Sequence, residues 1–348
     1  MSGFSRATHF RLCLTLRVVN ERAVVIGLLL GLTLVACAAA GAEDPVGRSQ
    51  IKAMKASVDA GAEPEGPPPD ETLEDLTGGP DDEIETFDND RAMNHVRALA
   101  GDIGVRVRAT RGERRGIRYV KRRFEELGYR TNVQRFSVDG GKSRNLVAWW
   151  PGVGDNSFVV GGHIDTVEGA PGANDNASGV AVMLENARLF ADSRQSKWLR
   201  FLAFGSEEYG DNGVHHVGSH KYVKRLGKKG RRHVAGMISV DMIADGRPLI
   251  IGHAGIGPQR VARTLYRKLK RTNIGVDYQE TCDCSDNGPF EIAGIPASFM
   301  WSGFEPNYHD PSDTIPNMKP KHMKRTGRAL RIFLKQLDSK MISNFKDS

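Results

Sequence analysis

The sequence predicts an α/β fold: a single three-layer domain in which a mostly parallel, twisted sheet is covered by helices on both faces. Two observations carry this. From about residue 90 onward, apolar runs of strand length alternate with segments whose apolar residues recur at three and four. Four of those runs also end in clusters of short polar side chains, which is where open α/β sheets build their sites.

Length and composition set the frame. A chain of 348 residues suits one catalytic domain with appendages, and 39% hydrophobic against 26% charged residues allows a sizeable core. The charge is unevenly placed. Residues 1–42 read as a targeting segment in which Arg6, Arg11, Arg17 and Arg22 lead an apolar run from Ala23 to Ala36, followed by Ala38-Ala39-Ala40-Gly41-Ala42. That run is short for a membrane span and suits an export signal. Leu34-Val35-Ala36-Cys37 resembles a bacterial lipobox, which would make Cys37 a lipid tether; cleavage near Ala42 or an uncleaved anchor are the alternatives. The chain is therefore expected to be exported, either secreted or held at a bacterial envelope.

Residues 43–90 hold fifteen Asp/Glu against three Lys/Arg, with six prolines and no periodicity, the composition of a disordered acidic linker. The domain expected over 91–348 is strongly basic, notably at Lys121-Arg122-Arg123, Lys228-Lys229 and Arg231-Arg232. No aromatic-interleaved motif accompanies these clusters. They read as solvated faces, and no specific nucleic acid partner is expected. Cys13 and Cys37 fall in the targeting segment. Cys282 and Cys284 could close a local disulfide in an exported protein or bind a soft metal in a reducing compartment; the export signal favours the disulfide.

Within the domain, helices are expected over 92–100 and 114–127, the second stopped by Gly128. Strands follow at 130–138, 145–150 and 157–160. Val180, Met183, Leu184 and Ala187 mark one helix face, and 198–204 is a buried strand. After an insertion at 211–217 comes a helix through Tyr222-Val223, then strands at 236–240 and 249–251, a helix at 259–270, a strand at 297–301 and a closing helix at 327–337.

The polar clusters at the strand ends collect His163, Asp175, Glu207, Glu208, Asp241 and His309. Two imidazoles and three carboxylates suit a pair of divalent transition-metal ions, zinc above all, with cobalt or manganese as substitutes; nitrogen donors argue against magnesium or calcium. Two such ions against three carboxylates leave one positive charge, which a single hydroxide neutralises. Glu207, beside a ligand but aimed differently, is the candidate general base. Asp165, two residues after His163, suits a carboxylate that orients a ligating imidazole.

His163-Ile164-Asp165, Gly172-Ala173-Asn174-Asp175-Asn176-Ala177-Ser178-Gly179, Glu207-Glu208, Asp241 and Tyr308-His309-Asp310-Pro311-Ser312-Asp313-Thr314 together resemble the M28 family of co-catalytic zinc aminopeptidases. The resemblance covers about residues 91–340. It implies a mixed sheet of about eight strands and two zinc ions: Asp175 bridges both, His163 and Asp241 hold one, and Glu208 and His309 hold the other. It also implies Glu207 as general base and a cis bond between Asp175 and Asn176. Two positions depart from the family's pattern. Asp283 stands where a loop often offers a tyrosine to the developing oxyanion, and Asn287 stands where histidine is usual; Tyr308 or Tyr278 are the available substitutes. Phe290, Phe299 and Trp301 could line a pocket for an apolar side chain or be ordinary core. The resemblance implies peptide substrates cut at the N-terminus. A carboxypeptidase or other amide hydrolase, or a non-catalytic envelope-binding domain, are the alternatives.

Overall fold

The computed structural model describes residues 86–346 apart from Asp211 and Arg247. The targeting segment, Cys37 and the acidic linker up to residue 85 lie outside the described residues.

Among the described residues, eight strands form one sheet. β1 (Arg130–Val138) and β2 (Gly141–Trp149) are an antiparallel hairpin. Its Asp139-Gly140 turn has φ of 48° and 70°, the mirror-image turn that matches strand twist. β3 (Ser157–His163), β4 (Leu199–Phe204), β5 (Val234–Val240) and β8 (Ala297–Trp301) make a parallel centre. β6 (Leu249–His253) runs antiparallel to β8, and β7 (Val276–Glu280) pairs parallel with β6. The order is β1-β2-β4-β3-β5-β8-β6-β7, the mixed eight-stranded sheet that the resemblance implied.

Alternation along the strands divides the core. Leu146, Ala148, Phe158, Val160, Phe201, Ala203, Ile238 and Val240 face the larger cluster, shared with α1 (Asn89–Val96), α2 (Arg111–Glu126), α3 (Gly179–Phe190), α5 (Arg260–Leu269), α7 (Pro320–Lys335) and α8 (Ser339–Lys346). Val147, Val159, Leu202, Phe204 and Met237 face the smaller cluster, under α4 (Val217–Arg231) and α6 (Asn287–Ile292). The sheet is thus covered on both faces.

Local chemistry sets the helix starts. Asp88 caps α1 by accepting from the amides of Asp90 (2.9 Å) and Arg91 (3.0 Å). Thr110 caps α2, and Pro320 opens α7 where its missing N–H costs nothing. Some boundaries differ from expectation. α1 gives way at Arg97–Ile103 to a wider helical turn ending at Gly104. α4 continues to Arg231, passing an interruption at Gly227. β7 escaped the sequence reading because Val276-Asp277-Tyr278-Gln279-Glu280 is a half-exposed edge strand without an apolar run. Phe87, ahead of the residue 91 at which the domain is expected to start, is buried in the larger cluster.

Candidate metal centre

The four central strands deliver their carboxyl ends side by side. His163 ends β3, Asp241 follows β5, Gly205-Ser206 lead from β4 to Glu207-Glu208, and His309 follows β8. From β3 the chain crosses to β4 on one side, and from β4 to β5 on the other, so a crevice opens above β3. Asp175 reaches it from an irregular turn, Ala173–Ser178, whose Asp175–Asn176 peptide is cis. Asn176 ties that turn to β5: its Nδ2 donates to the Val240 carbonyl (3.0 Å) and its Oδ1 accepts from the Gly179 amide (2.9 Å).

Asp175 divides its two oxygens. Oδ1 lies 3.1 Å from His163 Nε2, which is also 3.3 Å from Asp241 Oδ1. Oδ2 lies 3.3 Å from His309 Nε2, which is 3.0 Å from Glu208 Oε2. Donors held about 2.0–2.1 Å from a tetrahedral zinc stand about 3.3 Å apart, which is the spacing of each imidazole nitrogen from its two carboxylate oxygens here. His163, Asp175 and Glu208 are all buried, with one donor atom each within 4.8 Å of the others. Glu208 Oε1 is buried with no hydrogen-bond partner among the described residues, an acceptor left for a cation. The donor set therefore fits zinc.

The charges agree. Burial alone would lower both histidines, yet Asp241 and Glu207 hold His163 well above the ordinary range, and Glu208 and Asp175 push His309 up to about 11. Burial likewise works against ionisation of Asp175, but the two imidazoles keep it well below the usual carboxylate range. A field that holds protons on these nitrogens holds a cation in the same place. Glu207 is raised to about 8 by burial, opposed by His163 and His216.

Asp165 acts differently from the expectation. Its carboxylate accepts the amides of Glu207 (3.0 Å) and Glu208 (3.1 Å), while His163 Nδ1 faces its carbonyl at 3.2 Å and its carboxylate only at 3.9 Å. Spacing put the residue beside the imidazole but could not tell which of its groups would face the ring. Ser285 holds the far oxygen of Asp241, its Oγ donating to Oδ2 at 2.9 Å.

Two buried groups that the sequence reading passed over fix the loops. Arg106, fully buried, donates to the carbonyls of Ile164 (2.7 Å), Leu99 (3.0 Å), Gly104 (2.9 Å), Pro171 (2.7 Å) and Gly172 (2.9 Å). Asp313 accepts the amides of Asn174 (2.7 Å) and Asp175 (3.0 Å). Asp313 stood inside a quoted motif, so a signal existed; Arg106 and His216 offered none, because neither lies in a motif or at a spacing that marks its partners.

The aromatic expectations divide. Phe290 is core, packed edge-on to Phe204 and tilted against Tyr222, because α6 turns it toward the smaller cluster. Trp301 is also buried, stacked on Phe299, and begins a chain of rings through Phe304 and Tyr308 to His309. Tyr278 is on the edge strand β7 with its hydroxyl donating to Gln259. Tyr308 stacks on His309 at 3.7 Å; burial and the surrounding carboxylates raise its hydroxyl well above the usual range and keep it a donor. Cys282 and Cys284 are disulfide-bonded.

Comparison with known proteins gives a consistent picture. The family model described as Peptidase family M28 matches residues 145–334. Leupeptin-inactivating enzyme 1 of Streptomyces exfoliatus is 29% identical over 255 residues, covering 66% of this chain and 57% of that protein. The structure of BSAP, a zinc aminopeptidase from Bacillus subtilis, superposes with a TM-score of 0.65 at 18% identity, covering 74% of this chain and 98% of that one. A Fimbriiglobus ruber glutaminyl cyclase matches with a TM-score of 0.64 at 26% identity, covering 74% and 98%. The chain spans about half the length of the curated relatives it matches.

Proposed function

Because the chain belongs to peptidase family M28, we propose that it is an exported, zinc-dependent aminopeptidase that releases N-terminal residues from peptides. The single observation that carries the two-ion reading is the division of Asp175 between two donor triplets. In this reading His163 and Asp241 would hold one zinc, Glu208 and His309 would hold the other, and Asp175 would be shared between them. Zinc, when bound, supplies Lewis-acid chemistry, acidifying water and polarising a carbonyl.

The protein's own groups do the rest. Glu207 takes a proton from the attacking water and gives it to the leaving amine as the C–N bond breaks, so the base is regenerated each cycle. Its Oε2 faces the ligand cluster, 3.9 Å from His163 Nε2. Tyr308, a protonated donor beside Asp175 and Glu208, is the group best suited to the developing oxyanion. The proposed export and the tether at Cys37 rest on residues 1–42 alone, and the separation into leader, linker and catalytic domain is part of the same proposal.

The test is metal analysis of the purified protein with a panel of aminoacyl anilides, N-acetylated counterparts and glutaminyl peptides. We expect chelation to abolish hydrolysis of free-amine substrates and zinc to restore it. Cleavage of acetylated substrates would sink the aminopeptidase reading. The similarity to a glutaminyl cyclase supports one other reading, and ammonia release from glutaminyl peptides without peptide-bond cleavage would favour it.

A further inference from the structure

The segment that follows Glu208 returns to the site in a way that metal binding does not require. The His216 amide donates to the Glu207 carbonyl (2.7 Å) and the Val217 amide to the Ser206 carbonyl (2.8 Å). Arg108 donates to the carbonyls of Glu208 (2.7 Å) and Val214 (2.7 Å) and pairs with Asp139 (2.8 Å), which pins the loop between them. His216 takes a left-handed φ of 51°, uncommon for a side chain with a Cβ, and this turns its buried ring back toward Glu207. Nε2 stands 2.9 Å from Glu207 Oε1. On its other edge, Nδ1 stands 3.0 Å from His215 Nδ1 and 3.5 Å from Asp283 Oδ1. Asp283 lies between the two disulfide-bonded cysteines, so its loop is closed by a covalent bond.

These contacts are consistent with the following arrangement of protons. Glu207 accepts, so Nε2 of His216 carries a hydrogen. In it Nδ1, 3.5 Å from the Asp283 carboxylate, carries one too, and the His215 nitrogen 3.0 Å away presents its lone pair. The electrostatics run the same way. Burial would lower His216, but Glu207 and Asp283 push it up to about 10, whereas burial and the neighbouring His216 push His215 down to about 4.

We propose that His216, braced by Asp283 and His215, is a positioning residue for Glu207: it donates to Oε1 and leaves Oε2 as the oxygen that exchanges a proton with substrate. The proposal rests on the reading of Glu207 as general base. The terminal torsion of a glutamate is broad and two-fold, so an unbraced carboxylate offers either oxygen in many planes. A donor fixed on one oxygen selects the plane and the face of the other. Asp283 occupies the position where the resemblance led us to look for a tyrosine, and here it serves the base rather than the oxyanion.

The test uses the full-length protein and four variants: H216L, H216Q, D283N and E207Q. In H216L, kcat should fall about 10–100-fold, the loss expected from a reacting group displaced by about an ångström, with KM within about two-fold and zinc content unchanged. H216Q, which keeps a donor, should recover most of the loss, and D283N should fall in between. With histidine labelled by nitrogen-15, the ring signals that vanish in H216Q should report two protonated nitrogens in the wild type and shift in E207Q. Unchanged kcat in H216L, no rescue by H216Q, or ring signals indifferent to E207Q would each overturn the proposal. A wild type that hydrolyses no substrate while those signals still respond to E207Q overturns the peptidase reading and supports the His216–Glu207 bond.

Discussion

Glu207 and the ligands beside it differ in what a single substitution should remove. Glu207→Gln keeps shape and burial but cannot accept a proton, so kcat should fall by about 10²–10⁴-fold, the usual share of a general base, with metal content intact. Metal analysis alongside kinetics checks this, and full activity of the variant would refute the base assignment. Arg106 is a different case, since its role is architectural: its guanidinium satisfies five carbonyls beneath the loops that carry His163 and Asp175. Arg106→Met leaves those carbonyls without their donor and should cost at least about 1–3 kcal/mol, the penalty for an unsatisfied buried polar group, read from denaturant midpoints. At this scale the sequence was informative where residue type alone implies chemistry. His163, Asp175, Glu207, Glu208, Asp241 and His309 could be collected because imidazoles and carboxylates at strand ends have few other uses. His216 and Arg106 could not, because their meaning lies in partners reached only after a left-handed turn or across a loop.

Close approach between elements is what aligns the donors, and glycine makes it possible. α3 begins so near β5 that a Cβ on Gly179 would stand 2.0 Å from the Val240 carbonyl oxygen and 2.3 Å from Asn176 Oδ1. Gly179→Ala should therefore push the Ala173–Ser178 turn away from β5, costing about 1–3 kcal/mol as overpacking does. It should also weaken zinc binding, because Asp175 moves with that turn. Thermal melts and a competition titration with a zinc chelator test both effects, and a variant with wild-type affinity would show that the turn is not held by this contact. The elements that position the site were also the most legible ones. β3, β4, β5 and β8 are buried along almost their whole length and read as apolar runs. β7 and the first half of β2 are at or near the sheet's margins, where hydrogen bonding to a neighbour rather than apolar content defines the strand.

Over the whole molecule, packing contacts reach ahead of residue 91, where charge composition led the domain to be expected to start. Acidic residues continue to Asp90, which suggested a linker ending there. Yet Phe87 is buried against α7, so closely that a Cβ on Gly327 would stand 2.2 Å from its ring, and Asp88 both caps α1 and donates its amide to Glu185 (3.0 Å). Polar composition hid this because an N-cap is itself acidic and one aromatic residue is too little to register as periodicity. The consequence can be measured by truncation. A chain beginning at residue 81 keeps the ring, the cap and the Glu185 bond, and should match the full-length protein in denaturant midpoint and zinc content. A chain beginning at Arg91 loses them, and the ring alone should cost about 3–5 kcal/mol, the range for deleting a buried phenylalanine side chain. The cap adds about 1 kcal/mol. Since α1 packs against α3, whose start carries the Asp175 turn, the shorter chain should also lose zinc more readily on dilution. Equal stability of the two truncated chains would return the boundary to residue 91 and leave the burial of Phe87 without energetic weight.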